Sequence, residues 1–299
     1  MTNTLPNTAP LAKKSPFNLI LGDLNRVRKS KGLWITVAVV GGIALLLLLI
    51  VAAIRFITGG TFGDPVLVLY SEIAILGTMS MLFPVMIIIL VAMVSSDDYA
   101  FNTIRNKLVA GNSRLKVFFS LLVVNLIIFA ILFIAFIVVL LPLAGLFFTF
   151  SGMHTILYRL AISLPIFIAN VALATFISTA MKGRAGGIVI NLVIQQVLPL
   201  AVMILASLML IPALINAGEP NMALLYFIAY FELANPFTLL SFVLSPVIDL
   251  GYGLVLRPFA VTISPQQANT CILIPIVSAI FIGASIGFGY LRFHTKDFK

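Results

Sequence analysis

Few residues in this chain are of the types that do chemistry, and their spacing argues against a reaction. The two histidines, His154 and His294, fall in separate polar segments on opposite predicted faces. The single cysteine, Cys271, excludes an internal disulfide and any multi-cysteine metal site. There is no HExxH and no pair of carboxylates within an apolar run. A GxxxxGK[ST] phosphate loop is also missing, so the chain has no nucleotide site of that kind. No catalytic residue, metal ligand or bound cofactor is expected. What the apolar runs do contain is amides: Asn125, Asn170, Asn191, Gln195 and Gln196, with Asn191 and Gln195 one helical turn apart. They read either as a polar stripe along a pathway or as interhelical hydrogen-bonding groups, and the second use is the commoner one.

The elements that carry these amides follow from composition. The chain has 299 residues, 62% hydrophobic and 9% charged, against roughly 25% charged in soluble domains. This is the composition of a polytopic membrane protein. A span needs about 20 apolar residues, so the length accommodates roughly six to eight spans and no large soluble domain. The expected spans are 33–57, 73–94, 117–141, 160–181, 188–210 and 271–291. Residues 1–16 are expected to form a disordered cytoplasmic tail, and 17–299 one membrane domain. A cleaved signal peptide is disfavoured, because the first apolar run is long and no clean A-x-A site follows it. Residues 211–267 hold apolar pieces too short to span, interrupted by Glu219, Glu232, Asn235, Asp249 and Arg257. They read as re-entrant or extracellular helices; one further span across Glu232 to Pro236 is the alternative. In the last span Gly283 and Gly287 form a GxxxG close-packing face.

Two charged segments stand out. Phe17 to Lys31 places Phe17, Ile20, Leu21 and Leu24 on one stripe ahead of Arg26, Arg28, Lys29 and Lys31, the pattern of an interfacial helix. Ser95 to Ser120 is the longest charged interruption. Read as a helix over 97–111, it sets Phe101, Ile104 and Leu108 against Asn102, Arg105 and Asn106. Asp97 or Asp98 is expected to cap its first turn, Gly111-Asn112 to stop it, and Ser113 to cap the helix that follows. Arg114 and Lys116 then mark entry into lipid. When loops are grouped alternately, only Arg55, Arg159 and Arg257 of the 18 basic residues fall on the side opposite the termini. The positive-inside rule therefore puts both termini and the 97–111 segment in the cytoplasm. Because the basic residues follow the membrane pattern, the net charge of +9 reflects topology, and no nucleic-acid partner is expected.

An interfacial helix, an amphipathic helix after the second span, and a re-entrant region before the last of six spans together resemble the permease subunits of ABC-2 type ABC transporters. The run NTIRNKLVAGNSRLKVFFSLL, Asn102 to Leu122, is similar to the TIRNKL-x-AG-x-SR-x-K run that many bacterial members carry after span two. The resemblance implies an all-α fold of six transmembrane helices in a bacterial cell membrane. It makes 97–111 a coupling helix, with Asp97, Asp98, Phe101, Ile104, Arg105, Lys107, Leu108 and Arg114 facing a separate cytoplasmic ABC ATPase. The basic turn at Lys182 to Arg184 would be a lesser contact. ATP and Mg would bind that partner, and a second permease subunit, identical or related, would complete the exporter. An ion-driven carrier and a non-transporting scaffold or sensor subunit remain the alternatives, and the substrate is not readable.

Overall fold

The computed structural model describes residues 16–58, 82–100, 103–147, 153–181, 183–202, 204–205 and 267–295. Every element among them is helical: α1 Pro16–Arg28, α2 Lys31–Thr58, α3 Phe83–Ala100, α4 Thr103–Val109, α5 Arg114–Phe147, α6 Met153–Ala180, α7 Arg184–Leu192 and α8 Gln267–Thr295. Four of the described helices are long and apolar enough to cross a membrane, or five if α3 and α4, bent by 53°, count as one span. Residues 211–266 of the expected 211–267 region, Phe101 and the first nine residues of the 73–94 span lie outside the described residues.

Helix α3 is the axis of the bundle. It is apolar all round, and α6 and α7 pack against it along with part of α2, which is the environment such a helix requires. Its first residue, Phe83, is fully buried among aromatic rings. The Phe83 ring meets Phe167 edge-on at 5.4 Å and lies 5.9 Å from Phe133 and 5.2 Å from Phe136. Edge-on and tilted contacts of this kind add about 0.5–1.5 kcal/mol per pair beyond area burial. Without a hydrophobic drive in lipid, such dispersion contacts are what hold helices together there.

The path alternates. Ser95, Asn125 and Thr175 meet at one level of α3, α5 and α6, while Phe83, Phe129 and Phe167 meet at another. Thus α3 and α6 run one way and α5 the other. Helix α8 returns alongside α6 until Phe293 packs on Phe118 near the start of α5. The ends of α1, α3 and α8 and the starts of α2 and α5 therefore gather at one end of the bundle, together with α4. Asp23, Arg26, Asp98, Lys107, Arg114 and Arg292 all sit there, so the charge alternation read from the sequence has a single physical end.

The GxxxG face does not pack within the described residues: a Cβ placed on Gly283 or Gly287 would meet nothing within 4 Å. The close approach occurs instead at Gly289, where a Cβ would come 2.9 Å from the Phe118 ring.

Candidate functional site

The charged end of the bundle is built around Lys107. Its Nζ donates to Asp23 Oδ2 at 2.8 Å and to Asp98 Oδ2 at 3.1 Å. Ser120 Oγ donates to the same Asp23 oxygen at 3.2 Å. Arg26 pairs with Asp98 and donates to Thr103 Oγ1 at 3.2 Å. Two cations and two carboxylates thus tie together α1, α3 and α4, and the Ser120 hydroxyl joins α5 to them. The centre is dry: the side chains of Lys107, Asp23 and Asp98 are 9%, 8% and 1% exposed, whereas Arg26 is 36% exposed. The local charge is balanced, which is the condition for keeping ions out of water.

Backbone chemistry holds Lys107 in place. Gly111 takes φ +85°, a left-handed conformation that glycine adopts without penalty. The Gly111 N–H then donates to Leu108 O at 2.9 Å and the Asn112 N–H to Lys107 O at 3.3 Å, the Schellman pair of bonds. Asn112 Nδ2 adds a second bond to Lys107 O at 2.9 Å. The expected stop at Gly111-Asn112 is therefore present. The Ser113 cap is present too, as a long bond of 3.4 Å from the Lys116 N–H to Ser113 Oγ.

Other expectations for this segment change. Asp97 and Asp98 occupy the last turn of α3 rather than the first turn of a separate helix. A carboxylate there faces the negative end of the helix dipole, and Asp98 is held by cations brought from α1 and α4 instead of by free N–H groups. The apolar face of α4 turns inward. Ile104 is buried against Val117, Phe118 and Phe293, with Leu108 beside it. An apolar helix face covers the nearest apolar surface, and α5 and α8 supply one within the chain; full burial of such a side chain contributes about 1.5–3 kcal/mol. What α4 leaves outside is Arg105, Asn106 and Val109, the last 80% exposed. Arg114 Nη1 donates to the carbonyl of His294, capping the end of α8.

The sequence analysis gave Asp23 and Ser120 no role and Arg26 only a place in the basic end of an interfacial helix. Asp23 did carry a signal, because it stands between Ile20 and Val27 on the stripe of α1 that becomes buried, where a lone carboxylate requires a cation.

The amides form a second polar region. Asn125 Nδ2 donates to Ser95 Oγ at 3.1 Å and Thr175 Oγ1 at 2.9 Å. Asn191 Nδ2 lies 2.8 Å from both Ser178 Oγ and Gly187 O, and Gln195 Nε2 donates to Asn191 Oδ1 at 2.9 Å. The bonds of Asn125 and the Asn191–Ser178 bond join helices, whereas Asn191–Gly187 and Gln195–Asn191 are one-turn bonds within the same helical segment. Gln195 sits in a π-helical turn, Val193–Val197, and Gln196 beside it is half-buried. The antiparallel register set by Gly187 against Ser178 and Asn191 against Ala174 brings Asn170 to the level of Gln195. Among the described residues, both amide atoms of buried Asn170 and Oε1 of Gln195 lack hydrogen-bond partners, so this level can hold an ordered water between them.

No group of three or more His, Cys, Asp or Glu side chains that could hold a metal occurs among the described residues. No protein-family model and no curated protein matches this chain.

Proposed function

We propose that this chain is the membrane subunit of an ATP-driven exporter of the ABC-2 kind. It has six spans and cytoplasmic termini, and works in the cell membrane of a bacterium with a second permease subunit, identical or related. Separate cytoplasmic ATPase chains bind and hydrolyse Mg-ATP and press on the α4 end of the bundle. The subunit itself catalyses nothing.

The observation that carries this reading is the construction of α4. A seven-residue helix closed by a left-handed glycine, bolted by buried ions to α1 and α3 and packed through Ile104 on α5, cannot tilt alone. A push on its outer face is transmitted to three other helices as a rigid-body displacement. The resemblance of Asn102 to Leu122 to the run that follows span two in the family supports the same assignment. The outer face is narrower than the sequence suggested: Arg105, Asn106 and Val109 offer one cation, one amide and one apolar contact, while Ile104, Lys107 and Leu108 act behind it. The open face at Gly283 and Gly287 is where a second subunit fits, since close helix approach needs small residues.

The test is reconstitution with the partner ATPase. Val109→Asp combined with Arg105→Glu is expected to abolish co-purification of the ATPase and ATP-dependent transport while leaving thermal stability unchanged, because neither side chain is buried. Transport by the purified chain with no ATPase present overturns the reading.

A further inference from the structure

Beside the ionic cluster, a cleft of about 440 Å³ opens between the end of α1, the start of α2 and the last turns of α3. Its size lies within the roughly 300–1,000 Å³ typical of small-molecule sites. Arg26 and Lys29 of the α1 end and Asp97 of α3 line it together with Leu33, Leu90 and Val94. The lining thus combines charged side chains with apolar ones.

Its height in the bundle decides what such a cleft suits. Trp34, 59% exposed, donates its indole N–H to Arg28 O at 2.9 Å, so the α1–α2 joint carries an aromatic residue of the type found at membrane interfaces. Leu33 begins the apolar length of α2, and Leu90 and Val94 lie on the apolar axis helix α3. Against the carboxylate of Asp97 stand Lys29 in the cleft and the exposed Arg28 and Lys31 beside it, and this excess of cations favours an anion. Arg26 already serves Asp98 and Thr103, but Lys29 has no ion-pair partner among the described residues, and Arg28 and Lys31 flank it in sequence. A free inorganic anion would leave the apolar wall uncovered. A lipid with an anionic headgroup covers both.

We propose that this cleft binds one anionic phospholipid, with its phosphate against Lys29 and the edge of Arg26 and the first part of an acyl chain along Leu33, Leu90 and Val94. The remainder of the chains stays in the bilayer. The lipid wedges α1 against α2 and α3 beside the ionic cluster. The site is a property of the membrane chain alone and is independent of whether an ATPase docks on α4.

Native mass spectrometry of the purified, delipidated chain tests this, with phosphatidylglycerol and phosphatidylcholine of matched acyl chains titrated in turn and inorganic phosphate as competitor. One phosphatidylglycerol is expected to be retained in preference to phosphatidylcholine, with a contribution of about fivefold from one cation near a membrane surface. Lys29→Gln should remove that preference. Leu33→Trp, which fills the apolar wall, should weaken retention of both lipids, and Lys116→Gln, an exposed cation at the same end outside the cleft, should change nothing. Equal retention of the two lipids in the wild-type chain overturns the proposal. So does a Lys116→Gln effect as large as that of Lys29→Gln, which would mean diffuse attraction, or full displacement by inorganic phosphate, which would mean a simple anion site. Lys29 is exposed, so Lys29→Gln folds and decides the matter even if Leu33→Trp does not.

Discussion

Lys107→Met is the most informative substitution, because it removes the ammonium group shared by two buried carboxylates while keeping an unbranched stem of similar reach. Its consequences differ for the two partners. Asp98 retains Arg26, which is 36% exposed and held partly by water-screened attraction. Asp23 retains only the Ser120 hydroxyl at 3.2 Å among its described partners, in a setting where its side chain is 8% exposed. Stripping one member from a buried pair costs about 3–5 kcal/mol, since the remaining charge is left in a poor solvent. The surviving Arg26 contact puts this case at the lower end, about 3 kcal/mol. At roughly 2–4 °C per kcal/mol for chains of somewhat smaller size, the midpoint of thermal unfolding should fall by roughly 6–12 °C. The chain contains one tryptophan, and Trp34 follows α1 directly, so its fluorescence reports the same region in which the cluster opens. Arg26→Gln should cost only about 1 kcal/mol, because a half-exposed pair is worth little. The double variant Lys107→Met, Asp23→Asn should recover at least half of the loss, since the orphaned charge is gone. The reasoning is refuted if Lys107→Met unfolds within about 1 °C of the wild-type chain, or if the added Asp23→Asn lowers stability further.

Three further outcomes follow from single contacts. Gly111→Ala should destabilise by about 1–2 kcal/mol through backbone strain alone, since the added Cβ meets nothing within 4 Å and φ is +85°; thermal unfolding checks it, and Gly111→Asn should lose less. Asn191→Ala removes the staple between α6 and α7 and leaves Gln195 without its acceptor; at about 0.6–2 kcal/mol per interhelical bond in membranes the loss should be about 1–3 kcal/mol, read as earlier proteolysis at the α6–α7 turn. Gly289→Leu should overpack the Phe118 ring and cost about 1–3 kcal/mol, whereas Gly283→Leu should leave the unfolding midpoint unchanged and alter only the oligomer seen by size-exclusion with light scattering.

Much of the fold was legible because membranes impose simple rules. Composition announced the helices, since backbone groups in lipid must be satisfied within the segment. Local chemistry was legible as well: Gly111-Asn112 and Ser113 punctuate the chain where expected, because caps depend on neighbours in sequence. The orientation of α4 was not. Its pattern of Ile104 and Leu108 against Arg105 and Asn106 specifies two faces without specifying which one is covered. The exposed polar face and the hidden apolar one became distinguishable only when α5 and α8 were seen to lie beneath. Lys107 shows the same limit. At the end of a basic, amphipathic segment it reads as a surface cation, and only the arrival of Asp23 and Asp98 from two other helices makes it a buried one.

By itself the sequence determined an all-helical chain of membrane composition, the stop and start around Gly111, the gathering of basic residues at alternate loops, and the absence of its own phosphate loop. These depend on residue type and short-range spacing, which sequence contains in full. Tertiary structure decided that Asp97 and Asp98 end a long helix instead of beginning a short one, that Lys107 joins three helices, and that the close-packed glycine is Gly289 rather than Gly283 or Gly287. Those outcomes depend on which surfaces meet across long sequence separations. A charge pair buried in a bundle is determined by the partner as much as by the residue, and the partner is set by packing.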